Sequence, residues 1–212
     1  MAPSSGSLFD PDVPEGLHHR NDFITREDEA LLVAAIGGIE FAAFEMRGVV
    51  ARRRVAFFGG AYEPDQAPPP PLPPFLLPLR DRLAAWAGLE GPAFAMALIN
   101  EYRPGSPIGW HRDAPQYGIV AGVSLLSSCR MKFRPYVPPR GTDRAEARGT
   151  ATAGARGQVT AAGRREATHE IGLEPRSAYL MTGPSRSAYE HHIPAVTALR
   201  YSVTFRTLRG RD

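Results

Sequence analysis

From Ala95 onward the chain is broken into short apolar runs by glycine and proline, and that punctuation limits its fold more than any other feature. Residues 96–102, 118–126, 130–136, 177–182 and 199–208 are rich in Val, Ile, Leu, Phe and Tyr. Runs this short suit strands rather than helices, so the pattern predicts a β-sandwich or barrel. Helices are expected only upstream. Thr25 followed by Asp28 has capping-box spacing, Leu31, Leu32, Ala35 and Ile36 give one apolar face, and Gly37-Gly38 marks a stop. Strand-like stretches follow at 41–50 and 54–58, ended by Gly59-Gly60. The run 68–74, all proline except Leu72, reads as a stiff extended connector into a second helix that carries Leu79, Leu83 and Trp86 and ends at Gly88. Residues 1–22, rich in Ser, Pro, Gly and Asp, read as a flexible arm ahead of a single domain at 23–212. Within that domain, 138–168 holds Val159 as its only large aliphatic residue and is expected to be a mobile inter-strand loop.

A chain of 212 residues with 43% hydrophobic and 22% charged residues has the makings of an ordinary buried core. Its 25 basic residues against 22 acidic ones leave a formal charge of only +3, and Lys132 is the sole lysine. The basic charge is therefore almost all arginine, whose planar fork suits carboxylates and phosphates, while the modest total excludes a histone-like coat. A single cysteine, Cys129, excludes an intrachain disulfide and a Cys-rich metal cluster and fits a reducing cytoplasm. No stretch has the composition of a signal peptide or approaches about 18 apolar residues, so a cytoplasmic monomer without membrane attachment is expected.

Two residues apart on a strand, His111 and Asp113 point to the same side and can share a metal. Alone, His-x-Asp is common. A later histidine, His191, stands just before Pro194 and the last strand; two imidazoles and one carboxylate on one face of a metal leave positions open, the arrangement of non-haem Fe(II) oxygen chemistry. In the terminal run 200–206, strand alternation places Arg200, Ser202, Thr204 and Arg206 on one face and Tyr201, Val203 and Phe205 on the other. The second face is core. Two guanidiniums and two hydroxyls on the first need an anion with several acceptors, and a dicarboxylate meets that demand. Upstream, Asn100 and Tyr102 share a strand face and can donate to the same carboxylates.

These residues resemble the AlkB-like Fe(II)/2-oxoglutarate dioxygenases. The resemblance rests on Leu98-Ile99-Asn100-Glu101-Tyr102, His111-Arg112-Asp113, Gly183-Pro184-Ser185-Arg186, His191-His192-Ile193-Pro194 and the terminal Arg200 to Arg206 block, and spans about residues 96–134 and 177–208. It implies a double-stranded β-helix, or jelly roll, with N-terminal helices packed outside it, a mainly β, α+β fold. It implies Fe(II) held by His111, Asp113 and His191, with His192 as the alternative third ligand. It implies 2-oxoglutarate held by Asn100, Tyr102, Arg200, Ser202 and Arg206. With O2, the implied reaction hydroxylates an N-alkyl carbon on a base of DNA or RNA and releases succinate, CO2 and formaldehyde.

Substrate recognition is less legible. Arg52-Arg53-Arg54 beside Phe57-Phe58 offers phosphate-binding charge next to aromatic faces, and Trp110 and Tyr117 flank the metal motif as candidates for the mouth of the site. Ala114-Pro115 stands where several nucleic-acid demethylases of the family carry an acidic residue two positions after the metal aspartate. The same iron chemistry directed at tRNA modification, protein side chains or a small molecule stays open, as does a non-catalytic arginine-rich nucleic-acid-binding module.

Overall fold

The computed structural model describes residues 13–46, 49–60, 69–138 and 168–209. The loop expected at 138–168 falls outside them except at its two ends. In chain order the elements are β1 (Leu17–Arg20), α1 (Arg26–Gly37), β2 (Ala42–Met46), β3 (Val49–Gly59), α2 (Leu77–Trp86), β4 (Phe94–Tyr102), β5 (Ile108–His111), β6 (Tyr117–Leu125), β7 (Cys129–Pro135), β8 (His169–Leu173), β9 (Ala178–Met181), α3 (Gly183–Ser187), β10 (Tyr189–Ile193) and β11 (Arg200–Leu208). Short 3₁₀ turns precede α2 and β4. Among the described residues no helix is long and apolar enough to cross a membrane.

The strands form two antiparallel sheets. Seven lie in the order β1-β9-β6-β11-β4-β3-β2, and four in the order β5-β10-β7-β8. The large sheet is covered on both faces. On one, Ile99, Val123, Val203 and Phe205 pack with Leu32 and Ile36 of α1 and Leu79 and Leu83 of α2. On the other, Tyr102, Val120, Tyr179 and Met181 pack against Met131, Phe133, Leu173 and Ile193 of the small sheet. A strand buried on both faces needs no polar side, yet β11 has one facing the small sheet. That placement sets up the site below.

The N-terminal helix begins as its sequence predicts. The Thr25 hydroxyl accepts from the Asp28 amide at 3.0 Å, and the Asp28 carboxylate accepts from the Thr25 amide at 3.1 Å, which satisfies two donors that the first turn would otherwise leave open. Leu32 and Ile36 are buried, but Leu31 is 71% exposed, so the apolar face is narrower than expected.

Two expectations are corrected. The arm placed at 1–22 is not loose throughout, because Leu17 to Arg20 pair with Ala178 to Met181 and close one edge of the large sheet; Leu17 is buried between the sheets, and that burial holds the segment. The strand-like stretch that began at Arg54 starts at Val49 and takes in all three consecutive arginines. Replacing Thr25 with Ala removes the cap bond and is expected to lower unfolding stability by about 1 kcal/mol in a denaturant titration.

Candidate active site

Register between the two central strands assembles the polar face. Ser202 pairs with Asn100, Arg200 with Tyr102 and Thr204 with Leu98, so alternate residues of β11 and β4 point together at the small sheet. All are buried: Arg200 is 0% and Arg206 8% exposed. Across the gap, β5 and β10 pair with His191 opposite His111, which brings the two imidazole rings to 4.1 Å between centroids. Asp113 follows β5 by two residues, and its Oδ2 lies 3.7 Å from His191 Nε2. A cleft of about 110 Å3 runs between these groups and is lined by His111, Asp113, His191, Asn100, Tyr102, Ser202, Thr204 and Arg206, with Arg53, Phe44 and Phe57 also on its wall. A larger cavity of about 370 Å3 lies on the helix side among Leu31, Leu32, Phe75 and Leu79, away from every titratable group of this cluster.

The protonation states suit metal ligands. His111 Nδ1 lies 2.8 Å from the Gly109 carbonyl and must donate to it, so in the neutral ring the Nε2 lone pair is the free ligand position. Burial pushes the His191 imidazole down to about 3, with His111 adding to the effect. Burial, the largest single influence, would raise the Asp113 carboxyl, but the Arg206 guanidinium together with His191, His111 and Arg186 outweighs it and holds the acid well below the usual carboxylate range. A neutral imidazole and a carboxylate facing each other at 3.7 Å do not form an ion pair; they are two donors with room for a cation beside them. Among the described residues no three such side chains already gather their donor atoms at one point. Arg206 holds the Asp113 carboxylate, its Nε and a terminal nitrogen reaching Oδ1 at 2.8 and 2.7 Å. Two neutral imidazoles and one carboxylate fit Fe(II) in kind.

The two arginines of β11 are not equivalent. Arg206 is committed to Asp113, to Thr204 Oγ1 at 3.0 Å and to Met96 Sδ. Arg200 is fully buried with its Nε donating to Ser124 Oγ at 3.0 Å, while both terminal nitrogens make no hydrogen bond of good geometry. The guanidinium rests 5.0 Å from the Tyr102 ring, and among the described residues no carboxylate pairs with it. A buried fork without a counter-charge is costly unless an anion completes it bidentately. One carboxylate of 2-oxoglutarate fits Arg200 on this ground. Arg206, expected to hold the cosubstrate, lines the same cleft and pairs with Asp113. Asn100 accepts from Arg53 Nε at 3.1 Å through its Oδ1, so its amide NH2 is the end that can donate to a cosubstrate.

Alternation sorts the remaining candidates. Arg53 and Phe57 face the cleft. Arg54 faces away and pairs with Glu101, Arg52 is exposed with a long contact to the Gly105 carbonyl, and Phe58 belongs to the helix-side core. Trp110, one residue from His111, is turned to the outer side, where it stacks with His192 at 5.1 Å and Arg134 at 4.5 Å. His192 shares that outer side, its Nδ1 2.7 Å from the Ile108 carbonyl. Tyr117 is fully buried beneath Arg206 rather than at the mouth. Of the substrate candidates, Arg52, Arg54, Phe58, Trp110 and Tyr117 therefore do not line the cleft.

Three contributors escape a reading of the sequence. Ser124 anchors Arg200. Tyr179 reaches the cleft because Gly122 lies under its ring, where a Cβ would come within 2.6 Å of the ring atoms; burial, then Asp113, pushes its phenol up, keeping it a donor. Arg186 donates to the carbonyls of Ala114 at 2.6 Å and Tyr117 at 3.0 Å, clamping the loop behind Asp113. Polar or glycine positions inside otherwise apolar strands were the available signal for the first two.

The sequence pattern of the 2OG-Fe(II) oxygenase superfamily matches residues 52–206. A Danio rerio protein named "Probable RNA/DNA demethylase ALKBH6" is 26% identical over 106 residues, which is 50% of this chain and 44% of that relative. The chain thus spans less than half the length of this curated relative. The solved structure of OsALKBH1 is similar with a TM-score of 0.58 and 13% identity, covering 91% of this chain and 98% of that one. A Pseudomonas putida prolyl-4-hydroxylase is similar with a TM-score of 0.57 and 10% identity, covering 92% and 94%. At these identities the likeness establishes the fold, a mainly β jelly roll.

Arg200→Lys is expected to weaken direct 2-oxoglutarate binding by roughly ten- to a hundredfold, since an ammonium cannot reproduce a bidentate fork. Its divalent-metal affinity should stay within about twofold of the parent's. Arg206→Lys should do the reverse, loosening metal more than cosubstrate. Calorimetric titration of each ligand into both variants distinguishes the two roles.

Proposed function

Because the chain belongs to the 2OG-Fe(II) oxygenase superfamily, we propose that it is an Fe(II)- and 2-oxoglutarate-dependent dioxygenase that demethylates N-alkylated bases of DNA or RNA. The observation that carries the oxygenase chemistry is the pairing of a two-histidine, one-aspartate cluster with a buried arginine fork that has no carboxylate partner among the described residues, on facing sheets of one cleft. Support for a base as substrate comes from the name of the Danio rerio relative and from the aromatic and guanidinium surfaces of Phe44, Phe57 and Arg53 on the cleft wall, which suit a planar ring.

His111, Asp113 and His191 hold Fe(II) in this reading, and the bound metal supplies the activation of O2. Arg200 takes the carboxylate of 2-oxoglutarate farther from the metal, helped by Ser202 and Tyr102 from the paired strands. Arg206 keeps Asp113 ionised and aimed, and Arg186 fixes the backbone from which Asp113 projects. The apolar walls, Leu98, Met131 and Ile193, exclude water around the reacting carbon. In the balanced change, one atom of O2 enters an N-methyl C–H bond as a hydroxyl and the other enters the new carboxylate of succinate, with loss of CO2. The resulting hemiaminal breaks its C–N bond, nitrogen regains the proton of the hydroxyl, and formaldehyde leaves.

Incubation with Fe(II), 2-oxoglutarate and pools of alkylated DNA and RNA, read by mass spectrometry of nucleosides and of succinate, tests the proposal. Loss of N-methyl groups in step with succinate supports it; succinate formed with no change in any base sinks the choice of substrate. Alanine at His111, Asp113 or His191 is expected to abolish succinate formation with the melting temperature nearly intact, whereas His192→Ala, on the outer side, should keep most of the activity.

A further inference from the structure

The cleft holds an unusual balance of charge for a site meant to receive an alkylated base. Among the described residues three guanidiniums line it, those of Arg53, Arg112 and Arg206, against a single carboxylate, Asp113, and Arg206 already occupies that one. A divalent metal and a dianionic cosubstrate cancel each other, so binding both does not change the balance. Arg53 is the cation best placed to meet a substrate. It is half-buried in the wall, its Nε is fixed by Asn100 Oδ1 at 3.1 Å, and its guanidinium lies over the Phe44 ring at 4.4 Å. Arg112 is held over the Tyr136 ring at 3.4 Å with one nitrogen on the Ser187 carbonyl. Next to Asp113 stand Ala114 and Pro115, neither able to accept a side-chain hydrogen bond.

We propose that this cleft selects electrically neutral N-alkylated bases whose methylated nitrogen is flanked by carbonyl oxygens, and that Arg53 is the residue that sets this choice; the inference rests on the base-demethylation reading and specifies its substrate class. Two physical reasons combine. Alkylation at N1 of adenine or N3 of cytosine leaves a fixed positive charge on the ring, and a guanidinium within about 7 Å opposes it by tenfold or more at the effective dielectric of a half-buried site. Those same bases also present an exocyclic amine beside the methylated nitrogen, which needs an acceptor, and arginine has none to offer. N3-methyluracil and N3-methylthymine carry no charge and present two carbonyls to the donors of Arg53. Their planar rings can also stack on its guanidinium, extending the stack that Arg53 makes with Phe44.

The test uses a matched pair of single-stranded oligonucleotides that differ only in one base, N3-methyluracil or N3-methylcytosine, with the full chain, Fe(II) and 2-oxoglutarate. The ratio of kcat/KM for the two is the readout, so that any general loss through the Asn100 contact cancels. The neutral base is expected to be favoured at least tenfold, and Arg53→Gln to bring the ratio down several-fold. Arg112→Gln, at an exposed position, serves as a second variant should Arg53→Gln fold poorly, and a smaller fall in the ratio is expected there. Equal or faster turnover of N3-methylcytosine by the parent protein overturns the inference while leaving base demethylation standing. An unchanged ratio in a folded Arg53→Gln protein overturns the role of Arg53. Demethylation of neither oligonucleotide, with 2-oxoglutarate still consumed, overturns the base reading and this inference with it.

Discussion

Burial of the Arg200–Arg206 face of β11 between two sheets is the constraint around which the rest of the molecule is arranged. Charged groups in such a position are tolerated only with partners, and the structure supplies them unequally. Arg206 receives its partner from Asp113, 93 residues earlier in the chain. Arg200 receives one hydroxyl, Ser124, and among the described residues its two terminal nitrogens make no hydrogen bond of good geometry. The two arginines of one strand face thus differ in their partners, one paired with a carboxylate and the other with a hydroxyl. The helix-side layer of Val203 and Phe205 bears the packing for the strand, which frees the opposite face for chemistry.

Strand alternation made much of this readable before any coordinates. Arg200, Ser202, Thr204 and Arg206 on one side and Val203 and Phe205 on the other follow from a period of two, and so does the pairing of Asn100 with Tyr102 on β4. The capping box at Thr25 was equally local. What stayed hidden depends on distant contacts. β5, β8 and β10 are short and rich in Gly, His, Glu and Tyr, because residues recruited for the site or the outer surface replace the apolar ones that announce a strand. β1 looks like linker because only Leu17 among its four residues is buried.

Orientation was the other blind spot. Taking Arg52, Arg53 and Arg54 as one basic patch ignored the fact that neighbours on a strand point oppositely, and the structure sends only Arg53 to the cleft. Trp110 and His192 fail as cleft residues for the same reason, each next to a candidate ligand and therefore turned outward. The different partners of Arg200 and Arg206 could not be read at all, since they depend on which of the two Asp113 reaches in space.

The pairing of β1 with β9 bears on how the chain avoids sticking to itself. A chain begun at Phe23, where composition places the domain boundary, would strip Leu17 to Arg20 from the large sheet and leave the outer hydrogen-bonding edge of β9 unpaired over Ala178 to Met181. All four of those residues are buried, and three are bulky. A bare edge of that kind invites a strand from another molecule. The four residues of β1, three of them charged or titratable and facing solvent, therefore act as a gatekeeper against aggregation, so trimming the N-terminus for better solubility would work against its own purpose.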